Sequence, residues 1–373
     1  MFRLSNLIKS TLQEQKSRSL DGSIIIWNMT NRCNLLCHHC YSKASANEKE
    51  SLSLEDILKT IPKLKNANIN FVIFSGGEPL LRKDIFEIAQ CMKDNKIMTY
   101  LSTNGTYITQ KNAQKIIDTF NYIGISIDGI GEVHDYFRGQ KGSYDKSIEA
   151  IKTIQKLGGN AGIRFTITKE TESSFYDIFT LAEELNVNKI YISHLVYSGR
   201  GKENLEIDIS KEKRKEYVSF MINKAFEYYE NGKDIDIVTG NMEMDAIMLL
   251  KEFEKKYPDF VNSLKNRLKS WGGNSAGKRL GNMDWNGFVK PDPFFPMTIG
   301  NYLEKDFDKI WLDDNNELLK KLREFPRNIK GKCSSCKYID ICNGGSRSRA
   351  YAISGDLWDE DPSCYLTLEE IKG

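Results

Sequence analysis

Three cysteines fall close together in NRCNLLCHHCYSKA (31–44), spaced C-x3-C-x2-C as Cys33, Cys37 and Cys40. Two would suit a disulfide or half a zinc site, and four a closed cage. Three suit a [4Fe–4S] cube in which thiolates hold three irons and the fourth stays open to an exogenous ligand. A structural zinc site borrowing His38 or His39 competes, although zinc ligands usually come as paired C-x2-C arms. A second set, Cys333, Cys336 and Cys342 in CSSCKYIDIC with Cys364 in DEDPSC, offers four thiolates. Four can close every corner of a second cube, or hold one zinc ion with the same donors. Cys91, on an expected helix, reads as a packed thiol.

The rest of the composition bounds what these thiols can be. The chain has 373 residues, enough for about two domains, with 40% apolar and 28% charged residues. A formal net charge of +2 argues against a general nucleic-acid binder. The N-terminus lacks the apolar core of a signal peptide, and no apolar run approaches the ~20 residues of a membrane span. A cytoplasmic location is expected, where thiols stay reduced and serve as ligands rather than as disulfides.

Ligand loops need a scaffold to hold them. Short β-branched runs alternate with helical patterns: SIIIWNM (23–29), FVIFS (71–75), MTYLS (98–102), YIGISID (122–128), GIRFTIT (162–168) and KIYISH (189–194). This alternation predicts an α/β chain with a parallel sheet, six βα units lying within 23–195. Ser53 with Asp56, and Asp84 with Glu87, have capping-box spacing at two helix starts. Chemistry in such scaffolds sits on the loops after the C-terminal ends of the strands. The unusual residues fall there: the cysteines after the first strand, GGEP (76–79) after the second, STNG (102–105) at the third. DGIGEVHDYFRG (128–139) follows the fourth and HLVYSGRG (194–201) the sixth. Residues 201–270 read as a charged helical linker or lid, and 271–301 as a Gly- and Pro-rich hairpin.

Together these loops resemble the radical S-adenosylmethionine (SAM) enzymes. The resemblance implies a partial (β/α)6 TIM-like barrel over 23–200, an N-terminal segment 1–22, and a small C-terminal iron–sulfur extension over 271–373. It implies that SAM is the missing fourth ligand of the cluster, cleaved on reduction to a 5′-deoxyadenosyl radical. The implied SAM contacts are Tyr41 after the third cysteine, Gly76, Gly77 and Glu78, then Ser102, Asn104, Ser126, Asp128 and the carboxylate-binding Arg164. An electron donor such as a flavodoxin or ferredoxin is implied as a partner. The second cysteine set resembles the SPASM extension of this family, which implies an auxiliary [4Fe–4S] cluster. That extension carries further cysteines where this chain has Asp292 and Ser346, so two clusters are expected and not three.

Stretches outside the core, including VTGNMEMDA (238–246), WGGNSAG (271–277) and DLWDEDPSCYL (356–366), resemble the branch of the family that modifies sirohaem-derived tetrapyrroles. The implied reaction alters the propionates of 12,18-didecarboxysirohaem on the way to haem d1. Removal of acetates to give Fe-coproporphyrin III is the alternative, and a SPASM peptide maturase a further one. A carboxylate-rich substrate calls for cations, and Arg200, Lys278, Arg279, Arg347 and Arg349 are the candidates, each with solvated surface charge as the competing role. His194, ending the sixth strand, is either a ligand to the substrate iron or a hydrogen-bonded core histidine.

Overall fold

The computed structural model describes residues 1–15, 22–49 and 51–372. Its strands are β1 (Phe2–Arg3), β2 (Ser23–Thr30), β3 (Ile69–Gly76), β4 (Met98–Thr103), β5 (Tyr122–Ser126) and β6 (Ala161–Ile167). They continue with β7 (Lys189–His194), β8 (Asp236–Gly240), β9 (Leu280–Met283), β10 (Phe288–Lys290) and β11 (Gly300–Asn301). One sheet holds them in the order β1-β8-β7-β6-β5-β4-β3-β2-β9-β10-β11. From β8 through to β9 neighbouring strands run parallel, while β1, β10 and β11 pair antiparallel at the two edges. The sheet is therefore an open, partial barrel of βα units.

All six expected strands are present, and β8 and β9 extend their parallel run at either side. The segment 201–270 does carry long helices, but it also inserts β8 beside β7. Its helix Lys211–Glu230 buries Arg214, Tyr217, Val218, Met221, Ile222 and Ala225, so it is a packed wall of the barrel. β9, from the expected hairpin, pairs with β2 in register Ile24↔Leu280 through Trp27↔Met283. Ser53 caps its helix as expected, accepting from Asp56 N at 3.1 Å. Asp84 makes no cap bond, because its carboxylate is taken by Arg82, Nε to Oδ1 at 2.6 Å.

Period-two alternation assigns the two faces of the sheet. Ile123, Ile125, Ile163, Phe165, Ile190 and Ile192 are buried against the surrounding helices. The alternate positions face inward, and register partners share that face: Ser126 pairs with Arg164 and Arg164 with Tyr191. Gly124 is small for a reason. A Cβ there would come within 2.8 Å of Arg164 Cδ, so glycine lets the arginine stem cross the lumen and stack on Tyr191, 4.5 Å from the ring centroid. Among the described residues no helix is long and apolar enough to cross a membrane.

Candidate functional site

The cysteine loop leaves the end of β2 and packs against the C-terminus of the helix Glu132–Arg138. A helix end leaves carbonyls without intrahelical donors, and here the loop supplies them. Leu36 N donates to Arg138 O at 3.2 Å and His38 N to Phe137 O at 3.0 Å. Gly139 ends the helix at φ 70°, and a Cβ on it would lie 2.9 Å from Leu36 O. From the other side Arg200 grips the same loop: its Nε donates to Cys37 O at 2.7 Å and its Nη1 to Ala44 O at 3.2 Å. Gly199 must be glycine, since its φ is +57° and a Cβ would strike the carbonyls of Cys40 and Tyr41.

Cys33 and Cys37 are almost buried. Burial pushes the Cys33 thiol up to about 12, and burial likewise raises Cys37. Each sulfur has a neighbour: Leu35 N reaches Cys33 Sγ at 3.4 Å, Ser42 Oγ lies 3.4 Å from Cys40 Sγ, and Arg138 Nη1 donates to Cys37 Sγ at 3.5 Å.

The loops after the neighbouring strands close on these thiols. Gly76 and Gly77 bring backbone onto backbone, for a Cβ at either would collide with the carbonyl of Thr30 or Arg32. Glu78 is fully buried. Its carboxylate accepts from Thr103 Oγ1 at 2.8 Å, Leu80 N at 3.1 Å and Asn104 N at 2.8 Å. It thus ties the GGEP loop to the STNG loop instead of presenting a free carboxylate. Asn104 in turn donates to Asn34 Oδ1 at 3.0 Å, joining STNG to the cysteine loop. Tyr41 OH donates to Asn28 Oδ1 at 2.8 Å and lies 3.2 Å from Ser75 Oγ. Asp128 is also wholly buried. It pairs with Arg138 and accepts from Thr166 N. Ser102, Ser126 and Arg164 are half-buried on the inward face.

Asn28, Ser75, Thr166 and Ser193 share this inward face and were not singled out from the sequence. They could have been: each lies at the inward phase of a strand already recognised, near its C-terminal end. Asn241 after β8 donates to Ser193 Oγ at 2.9 Å, so the eighth parallel segment also borders the mouth.

The second cysteine set comes together. Cys333, Cys336, Cys342 and Cys364 line one pocket, walled by Met244, Ile247, Ile339, Leu366 and Ile371. Burial raises all four thiols, reaching about 12 for Cys333. Among the described residues no three His, Cys, Asp or Glu groups converge at single-ion distance; these thiols border a space. Asp292 and Ser346 are committed elsewhere. Asp292 Oδ1 accepts from Phe294 N at 2.8 Å, and Ser346 caps the helix Arg347–Ser354. Cys91 is half-buried and packs beside the main core.

Three expected substrate contacts are corrected, and His194 takes the core role that competed for it. Arg200 holds the cysteine loop, as described. Arg347 is fully buried and donates to the carbonyls of Leu357, at 2.8 Å, and Gly344. Arg349 is equally buried. It clasps Asp361 through Nε to Oδ1 at 2.9 Å and Nη2 to Oδ2 at 2.8 Å, and its Nη1 donates to Leu195 O at 3.1 Å. His194 is fully buried with both ring nitrogens engaged, Nδ1 by Arg214 at 2.9 Å and Nε2 by Asp245 at 3.3 Å. It is a core histidine. Lys278 lies over the Phe325 ring, 5.5 Å from its centroid, and Arg279 donates to Trp271 O. A consequence is testable: Arg200→Ala should leave the Ala44 carbonyl without its donor and the Cys37 carbonyl with Cys40 N alone, costing about 1–3 kcal/mol locally. Iron bound after anaerobic reconstitution should fall, and purified protein compared by iron assay reads this directly.

An open parallel βα barrel with a C-x3-C-x2-C loop after its first barrel strand defines a radical SAM enzyme. The pattern described as the Radical SAM superfamily matches residues 27–182. Pre-heme d1 synthase of Dinoroseobacter shibae is 36% identical, the match covering 99% of this chain and 93% of that protein. Fe-coproporphyrin III synthase of Methanosarcina barkeri is 37% identical over 93% of this chain and 89% of that one. The chain belongs to the radical SAM superfamily, in the family that holds these two synthases. Solved structures share the fold. Streptococcus suis SuiB bound to precursor peptide SuiA has a TM-score of 0.74 at 17% identity, covering 97% of this chain and 79% of that one. AnSMEcpe with bound AdoMet and a Cp18Cys peptide has a TM-score of 0.70 at 18% identity, covering 92% and 93%.

Membership implies a [4Fe–4S] cluster and SAM, and the donor set fits them. Thiols raised by burial stay protonated without a metal, and coordination to iron would ionise them. Cys33, Cys37 and Cys40 would hold the cluster, which when bound supplies the electron that cleaves SAM.

Proposed function

We propose that the protein modifies the propionate side chains of 12,18-didecarboxysirohaem by radical SAM chemistry, in the formation of haem d1. The observation that carries this is the match to the D. shibae pre-heme d1 synthase over 99% of the chain at 36% identity, which takes in the walls and the C-terminal segment as well as the barrel. The second reading, removal of acetates to give Fe-coproporphyrin III, rests on the M. barkeri match at 37%.

In this reading the lumen face receives SAM. Arg164 makes no ion pair with another described residue and offers its guanidinium to the methionine carboxylate. Ser102 and Ser126, with Ser75 and Thr166, offer hydroxyls to the ribose, and Gly76 and Gly77 let backbone approach the amino group. Tyr41, anchored by Asn28 and Ser75, walls the site and packs edge-on against Phe294, their centroids 5.2 Å apart. The four thiols of the C-terminal cavity hold an auxiliary [4Fe–4S] cluster, since thiols bordering a space suit a polynuclear cluster better than one zinc ion, whose sulfurs gather at about 2.3 Å from a point. A low-potential donor of the flavodoxin or ferredoxin kind supplies electrons. The macrocycle enters at the mouth of the barrel, where its reacting carbon can lie within reach of the deoxyadenosyl group.

Product analysis tests the choice. With SAM, a reductant and 12,18-didecarboxysirohaem, loss or alteration of propionates supports the first reading. Loss of acetates moves the assignment to the second.

A further inference from the structure

Arg138 contacts a sulfur of the cysteine loop, and no SAM-binding role requires it. Arg138 is 8% exposed and ends the helix on which the loop is seated. Its guanidinium has three faces. Nη1 donates to Cys37 Sγ at 3.5 Å. Nη2 pairs with Asp128, itself fixed by Thr166 N. Nε is buried with no hydrogen-bond partner. Buried donors normally find a partner; Arg200 Nη2 and Arg214 Nε are unmatched as well, but Arg138 alone of the three also contacts a cysteine sulfur, and an acceptor such as a cluster sulfide would satisfy its Nε.

The electrostatics of the loop otherwise lean negative. It sits at a helix C-terminus, the negative end of the dipole, with Asp128 and Glu78 buried behind it. Of the other cations on or beside the loop, Arg200 is turned to its carbonyls and not to its sulfurs, and Lys43 pairs with Glu203. A [4Fe–4S] centre gains negative charge when reduced, and potentials respond to hydrogen bonds to sulfur and to local charge. A buried cation in contact with a ligand sulfur stabilises the reduced form strongly, because little solvent screens it.

We propose that Arg138, aimed by Asp128, is a positioning residue that sets the reduction potential of the cluster held by Cys33, Cys37 and Cys40, raising it to where its donor can reduce it. The proposal rests on the radical SAM assignment. Its test first separates the two. Wild type, R138Q and R138K are reconstituted anaerobically, and iron content together with a SAM-induced change in the EPR signal establishes that the first cluster is present. Failure of that check in wild type would count against the assignment itself.

EPR-monitored redox titration then reads the midpoint of that cluster. R138Q should keep its iron and show a lower midpoint than wild type, and R138K, which keeps the charge but loses the fork, should fall between. SAM cleavage by R138Q should drop severalfold with a flavodoxin donor and recover with the stronger reductant titanium(III) citrate. A wild-type midpoint in iron-replete R138Q would overturn the proposal. So would loss of the first cluster in both variants, which would reduce Arg138 to a scaffold residue.

Discussion

Replacing Cys33, Cys37 and Cys40 together by alanine should remove about half of the iron, about four of eight atoms per chain, and abolish reductive cleavage of SAM. The three thiols lie on one loop, and no other described cysteine shares their cluster of buried side chains. Replacing Cys333, Cys336, Cys342 and Cys364 instead should remove the other half and spare some cleavage, because those thiols line a separate cavity. Iron assay with quantitation of 5′-deoxyadenosine distinguishes the outcomes. Cleavage retained by the triple variant would end the radical assignment. Full iron in the quadruple variant, or zinc found at that site, would end the auxiliary-cluster proposal.

Arg349→Met should cost about 3–5 kcal/mol of stability, the usual penalty for leaving one member of a buried pair uncompensated. Burial pushes the Asp361 carboxyl up, but the Arg349 guanidinium and the Ser346 N–H outweigh it and hold the carboxyl below its ordinary range. Deleting the guanidinium strands that charge. It also frees the carbonyls of Leu195 and Asn241, so the clamp between the C-terminal segment and the ends of β7 and β8 opens. Asp361 begins the turn that carries Cys364, whose N–H donates to Asp361 O at 3.0 Å. Iron at the second site should therefore fall as well. Chemical denaturation measures the first effect, and adding D361N should recover part of it by removing the stranded charge. A variant as stable as wild type would contradict the buried clamp.

What was legible in the sequence follows from what sequence patterns encode. β2 to β7 carry β-branched runs with turn residues after them, and the chemistry-bearing loops fall where strand ends put them. The hairpin over 271–301 was legible, but the pairing of its strand β9 with β2 was not, because LGNM has no β-branched residue and β2 lies far away in the chain. β8 was hidden because its short run, DIVTG, sits among charged helices. The grouping of the cysteines was legible too, since the seven fall into two sets in the sequence and the structure gathers them in the same two sets. The fate of the cations was not. Arg200, Arg347 and Arg349 follow or lie near glycines in loops, which suits an exposed anion site and a buried carbonyl clamp alike. Only burial and partners separate the two. The carboxylates of Glu78 and Asp128 are likewise engaged by protein donors, which their motifs do not reveal. Arg138 shows the converse. It lies in a loop that was noticed, yet its contact with Cys37 depends on a helix end meeting a segment 101 residues away.

The most direct measurement is an anaerobic reaction of the reconstituted protein with SAM, a reductant and 12,18-didecarboxysirohaem, read by mass spectrometry of both products. The account predicts 5′-deoxyadenosine formed together with a tetrapyrrole altered at its propionate-bearing carbons. Absence of tetrapyrrole binding, with deoxyadenosine formed only in the presence of a peptide, would contradict it.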